Sequence, residues 1–154
     1  MRFHHEWRRH FRMLLAESPP VPLPGVMDAL ETLARRGIPT GVASSSDLAD
    51  IELCLEKAGL REFFSCIAAG DEVACGKPDP EVYLLCCRRM GIDPWQSHAA
   101  EDSTRGVQAG VAAGLHVFLL TGGRPEVPPE KDRVRPVSSL TEVAWAGLEP
   151  RPLA

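Results

Sequence analysis

The sequence predicts an α/β fold built on a parallel sheet, and three observations carry that reading. Segments with apolar residues at helical spacing alternate with short apolar runs of strand length, and glycines at 37, 59, 91 and 114 stand where the helical patterns stop. Strands joined through helices call for right-handed crossovers and a doubly wound sheet with helices on both faces.

The first pattern, residues 3–16, is an amphipathic helix, and SPPVPLP at 18–24 is a stiff connector of the polyproline kind. Val26, Ala29, Leu30, Leu33 and Ala34 share one helical face that Gly37 ends, after which residues 38–43 (IPTGVA) read as a buried strand. Asp47 opens the next helix, with Leu48, Ile51, Leu55 and Ala58 inward and Gly59 as its stop, before a short strand at 66–69. Asp79-Pro80 is an N-cap followed by proline at the first helical position, and Val82, Leu85, Cys86 and Met90 line one side up to Gly91. Residues 97–100 should be the next strand, 104–113 a helix that Gly114 ends, and 116–120 (HVFLL) the strongest strand. The proline- and charge-rich stretch 122–135 reads as a loop, ahead of a short helix opened by the capping-box pattern at Ser139–Glu142.

A length of 154 residues fits one domain, and 44% hydrophobic with 25% charged residues is the balance of a globular chain. The net charge of −4 gives no general attraction to nucleic acid or to anionic lipid, so a phosphate ligand would need a local site. Residues 1–10 carry no apolar signal core, and the apolar run 109–120 is too short to span a bilayer, so no secretion or membrane anchoring is implied. Five cysteines without a C-x-x-C pair or zinc spacing point to a reducing cytoplasm, and adjacent Cys86 and Cys87 read as packing residues.

In a doubly wound sheet the carboxyl ends of the strands meet at one crevice. Here Ser44, Ser45 and Ser46 follow the strand at 38–43, Gly76-Lys77-Pro78 precedes the Asp79 helix, and Glu101, Asp102 and Ser103 follow the strand at 97–100. Hydroxyl, ammonium and paired carboxylates are what magnesium-dependent phosphoryl transfer uses: carboxylates hold the hard cation, and lysine balances phosphate charge. Taken singly each has a plainer reading, as turn, loop or helix-dipole residues.

GVASSSD, GKPDPEVY and EDSTRGVQAG, in that order after a PGV-x-x-x-L-x-x-L helix, resemble the haloacid dehalogenase-like hydrolases over residues 23–143. The likeness is to the first subfamily, which includes phosphoglycolate phosphatase-like and β-phosphoglucomutase-like enzymes. The resemblance implies a Rossmann-like core, a small phosphorylated metabolite as substrate and Mg2+ as cofactor. It gives Ser44, with Ser45, to phosphate binding and Lys77 to neutralising nucleophile and phosphate. Glu101 and Asp102 then hold magnesium, and Ser103 supports them. Asp71 and Asp79 also match the pattern and read first as loop and cap residues.

The family's first motif, an apolar strand ending in D-x-D whose first aspartate is the nucleophile, has no counterpart here. The only aspartate before Ser44 is Asp28, inside a helical pattern. The expected organisation is therefore a remnant cap helix at 1–17, a connector at 18–24, a core at 25–147 lacking its central first strand, and a tail at 148–154. The flanking strands would pair directly, be bridged from elsewhere or stay open, with self-association through exposed edges. Three functions remain: a phosphatase-type hydrolase chain inactive by itself, a non-catalytic phosphate- or partner-binding module, or half of a strand-complemented assembly. His98 and the Arg/His cluster at 2–12 read as packing and solvated-face residues.

Overall fold

A computed structural model describes residues 2–122 and 132–148. Helix α1 (Arg2–Glu17) precedes α2 (Val26–Arg35), β1 (Gly41–Ala43), α3 (Leu48–Lys57), β2 (Cys66–Ala68), α4 (Glu81–Met90), β3 (His98–Glu101), α5 (Thr104–Ala112), β4 (His116–Leu120) and β5 (Val134–Val137). The helix stops sit where the sequence puts them, with Gly37, Gly59, Gly91 and Gly114 all at positive φ. The cap chemistry differs at the starts of α3 and α4. Asp47 makes no side-chain cap, and the Leu48 N–H at the start of α3 donates instead to Asp71 Oδ1 at 3.0 Å. Pro80 rather than Asp79 takes the N-cap position of α4, and Asp79 Oδ1 still accepts the Glu81 N–H at 3.0 Å.

Helices pack on both faces. Cys66 and Ala68 of β2 face Val82, Cys86 and Cys87 of α4 and Ala109 of α5, while Ile67 points the other way to Ile51 of α3. Likewise Val117 and Leu119 of β4 meet Val107 of α5, and Phe118 packs on the opposite face with Val137 and Val143. This alternation by residue is that of a sheet covered on both sides.

The sheet itself is split. β1 pairs only with β2, and β3, β4 and β5 form a separate parallel group, with no ladder between β1 and β3. Of the three outcomes left open for the flanking strands, the structure shows the open one. α4 packs against β1 and β2 and also against α5, which ties the two half-sheets together on one face. On the other face Arg36, just past α2, donates to the carbonyls of Leu148 at 2.6 Å and Trp145 at 3.4 Å.

Several boundaries move. The strand expected at 38–43 forms a ladder only over Gly41–Ala43, and that at 97–100 is shifted by one to His98–Glu101, which brings Glu101 inside the strand. The loop expected over 122–135 gives way at its end to β5, a strand with Pro136 on the outer edge of the sheet. Proline is tolerated there because an edge position faces no further partner. Residues 123–131 of that loop and 149–154 of the expected tail lie outside the described residues. Among the described residues no helix is long and apolar enough to cross a membrane.

Candidate active site

Lys77 lies in the connection between β2 and α4, and its side chain is only 11% exposed. Its ammonium donates to Glu101 Oε1, lies 3.3 Å from the Tyr83 hydroxyl and sits 4.7 Å above the Tyr83 ring. The Lys77 carbonyl is held from outside by the Arg105 guanidinium, whose Nε donates at 2.8 Å and whose Nη2 reaches the same oxygen.

Glu101 ends β3 and is buried, with three donors on its two oxygens. Oε1 accepts from Lys77 and from the Tyr83 hydroxyl at 2.5 Å, and Oε2 accepts from Ser103 Oγ at 3.2 Å. Burial pushes its pKa up, but the hydrogen bonds from Lys77 and Tyr83 and the Lys77 charge outweigh that and hold it below the usual carboxylate value. The Tyr83 phenol is pushed up, first by burial and then by the Glu101 charge. Ser103 caps α5 by accepting the Gly106 N–H at 3.1 Å while donating to Glu101, so one hydroxyl joins the helix start to the carboxylate.

Asp102, one residue on, is exposed, and among the described residues no donor reaches its carboxylate. Gly106 stands behind Glu101: a Cβ there would fall 2.0–2.3 Å from the carboxylate atoms. We expect Gly106→Ala to lower stability by roughly 1–3 kcal/mol through this overlap, although Ala in an open helix would raise it by about 1. Urea denaturation reads the sign, and a stabilised variant would contradict the packing described.

Ser44 lies on the other half-sheet. Its Oγ accepts the Ser46 N–H at 3.1 Å, and with Ser45, Ser46, Asp47, Asp50 and Phe11 it lines a hollow of about 380 Å³ beneath α1. The serine turn is pressed against Gly70, where a Cβ would meet the Ser45 backbone at 2.2 Å, so only glycine permits the approach. Among the described residues no hydrogen bond or ion pair joins Ser44 to the Lys77 cluster. The structure thus brings Lys77, Glu101 and Ser103 together, leaves Asp102 beside them facing solvent, and keeps Ser44 and Ser45, at the end of β1, across the split from Glu101.

Asp28 is exposed in the first turn of α2 and belongs to neither half. His98 stacks on His116 at 5.3 Å and on Phe118 at 5.6 Å, away from Lys77. Cys86 lies 3.9 Å from Cys66 rather than pairing with Cys87, and burial pushes the thiols of Cys86 and Cys87 up. Tyr83, Arg105, Gly106 and Gly70 were not singled out from sequence. A readable signal existed for Tyr83, an aromatic hydroxyl on an apolar helix face, because a buried hydroxyl needs a partner.

The family model for haloacid dehalogenase-like hydrolases matches residues 2–114. The chain belongs to that family. Hexitol phosphatase B of Escherichia coli O157:H7 is 34% identical over 136 residues, covering 88% of this chain and 61% of that one. CbbY of Cereibacter sphaeroides is 37% identical over 122 residues, 77% of this chain and 53% of the relative. The chain therefore spans between 53% and 61% of the length of these two relatives.

The crystal structure of CbbY from Rhodobacter sphaeroides in complex with phosphate superposes with a TM-score of 0.75 at 34% identity, over 86% of this chain and 60% of that one. A haloacid dehalogenase-like hydrolase from Entamoeba histolytica, at 22% identity, shares the fold with a TM-score of 0.82 over 96% of this chain and 69% of that one. The relatives place this haloacid dehalogenase-like chain with the phosphatase-like members of the first subfamily.

Proposed function

We propose that residues 1–154 carry the charge-stabilising part of a phosphate-monoester hydrolase site and have no turnover by themselves. The observation that carries this reading is the Lys77 ammonium, drawn from its loop onto Glu101 at the end of β3 with Asp102 exposed beside it. A cation and two carboxylates at the end of a parallel strand suit an anionic substrate whose charge must be shared with a metal.

In this reading Lys77 faces the phosphoryl group and Glu101 holds its ammonium in place. Ser44 Oγ, with the Ser45 turn, binds phosphate oxygens from the other half-sheet. No nucleophile is among these roles: Asp28, the one aspartate ahead of Ser44, lies in the first turn of α2.

The donor set fits magnesium only in part. Magnesium takes one or two carboxylates and keeps water and phosphate oxygens for the rest, and among the described residues no group of three or more His, Cys, Asp or Glu side chains could hold a metal ion. Asp102 would hold it, with Glu101 contributing whichever oxygen Lys77 and Ser103 release. When bound, magnesium would offset the negative charge of the phosphate oxygens.

The names of the relatives, hexitol phosphatase B, phosphorylated carbohydrates phosphatase and fructose-1-phosphate phosphatase, support a small phosphorylated carbohydrate as the substrate class. The cytoplasm and a free metabolite, rather than nucleic acid, are the setting that fits.

Calorimetric titration with MgCl2 tests the assignment of Asp102. We expect weak saturable binding that Asp102→Asn abolishes and Asp79→Asn leaves in place. Equal binding by Asp102→Asn and the parent chain would remove Asp102 from the site.

A further inference from the structure

Three sulfur atoms meet where α4 covers β1 and β2, brought there by two separate periodicities. Gly41 and Cys66 are register partners on β1 and β2, so the bare Cα of Gly41 and the Cys66 side chain turn to the same face, the one that α4 covers. Cys86 and Met90 stand four residues apart on α4, which puts both on one side of that helix.

Cys66 Sγ lies 3.9 Å from Cys86 Sγ, and a Cβ on Gly41 would fall 2.7 Å from Cys86 Sγ and 2.8 Å from Met90 Sδ. Glycine at 41 therefore leaves the room in which the two α4 sulfurs close over β1. Cys66 and Cys86 are free thiols, since 3.9 Å is nearly twice the length of a disulfide bond, about 2.05 Å. Burial alone explains a cysteine that packs as a small apolar residue, but not a thioether converging with two thiols. The cluster is also reachable: Met90 is half-buried at the end of α4, and the hydroxyl of exposed Ser65 lies 3.7 Å from its Sδ.

We propose that Cys66, Cys86 and Met90 bind a soft monovalent cation of the Cu(I) class in three-coordinate geometry. Thiolate and thioether are the ligands that select Cu(I), whereas magnesium takes oxygen and structural zinc closes a shell of four ligands. Cys87, turned to Ser97, supplies no fourth sulfur. The spacing decides the coordination number. With metal–sulfur bonds of about 2.3 Å, sulfurs 3.9 Å apart subtend roughly 120°, the trigonal angle, whereas a linear pair would stand about 4.6 Å apart.

On binding, two S–H bonds break and their protons pass to solvent, while two metal–thiolate bonds and one metal–thioether bond form; no electron is transferred. The product carries one negative charge. Arg89, which donates to the Ile67 carbonyl at 2.6 Å and is shared with Glu72, brings a cation to within electrostatic reach of both thiols. None of the three ligands takes part in the proposed phosphate site, so the two readings stand or fall separately.

The test uses the full 154-residue chain carrying Cys54→Ser and Cys75→Ser, which removes the thiols that are not buried. Titrated with Cu(I) in the absence of oxygen, it should withdraw one equivalent from the chromophoric chelator bicinchoninate. X-ray absorption should show three sulfurs at about 2.3 Å. Cys66→Ser and Cys86→Ser should each weaken binding about a hundredfold, and Met90→Leu roughly tenfold, with two sulfurs left in the absorption spectrum. Met90→Leu conserves volume in the core, so its loss of affinity is not a loss of fold, and circular dichroism verifies this.

Cys87→Ser removes a buried thiol outside the cluster and should leave the affinity as it was. A loss there equal to that of Cys86→Ser would assign the effect to a disturbed core and overturn the proposal. So would affinity unchanged in Met90→Leu, or fewer than three sulfurs around the ion in the parent chain.

Discussion

The 154-residue chain should release no phosphate from p-nitrophenyl phosphate with magnesium present, at any pH from 5 to 9. In a covalent phosphoryl-transfer mechanism the nucleophile takes the phosphoryl group, and charge stabilisation cannot substitute for it. Losing a nucleophile typically lowers turnover by on the order of 10⁴–10⁶, which puts any residue of activity at background. The control is Asp102→Asn. Magnesium-dependent release that this variant abolishes would mean these residues do hold a nucleophile, whereas a contaminating phosphatase would ignore the change.

Lys77→Met should be the most destabilising single change at the site. It leaves Glu101 buried with one hydrogen-bonding partner on Oε1 and no countercharge, and removing one partner of a buried pair costs about 3 kcal/mol or more. For a chain of this size that corresponds to a fall of roughly 6–12 °C in melting temperature.

The pH dependence separates this from a simple packing loss. In the parent chain the Glu101 pKa is depressed, so its contribution is fully present above the unfolded carboxyl value of about 4.3 and is lost as pH falls through the folded value. In Lys77→Met the depressing charge is gone and burial raises the carboxyl instead. Protonation then relieves the buried charge, so the deficit should be largest near pH 7 and shrink towards pH 4. Urea midpoints of both proteins across that range measure it, and a deficit constant with pH would assign it to lost side-chain packing.

How far the sequence could be read depended on how local each determinant is. β4 was legible to the residue because Val117–Leu120 is a continuous apolar run, closely following Gly114 and ending at a loop. β5 was not, because Arg135 and Pro136 make it resemble its loop, and only its edge position explains how a strand tolerates them. The serine turn, Lys77 and the Glu101-Asp102 pair could be found because each follows a strand or precedes a helix in a recognisable string.

What spacing could not show is which donor takes which oxygen. The two carboxylates read as one metal-holding pair, yet the structure commits Glu101 to Lys77, Tyr83 and Ser103 and leaves only Asp102 open. Tyr83 was hidden for a related reason: it lies on the buried face of α4, where an aromatic side chain reads as core until its hydroxyl finds Glu101. The split of the sheet was foreseen as one of three outcomes. Choosing among them required the registers, since unpaired edges are a property of neighbours far apart in sequence.

The most direct test of the central claim is binding of inorganic phosphate to the intact chain, followed by phosphorus NMR with and without magnesium. The parent chain should bind phosphate weakly, more tightly with magnesium, and Lys77→Met, shown to be folded at low temperature, should lose at least tenfold in affinity. Asp102→Asn should keep the magnesium-free binding and lose the enhancement. Phosphate binding unchanged in Lys77→Met, or indifferent to magnesium in the parent chain, would contradict the account that these residues form the anion- and metal-holding part of a phosphoryl-transfer site.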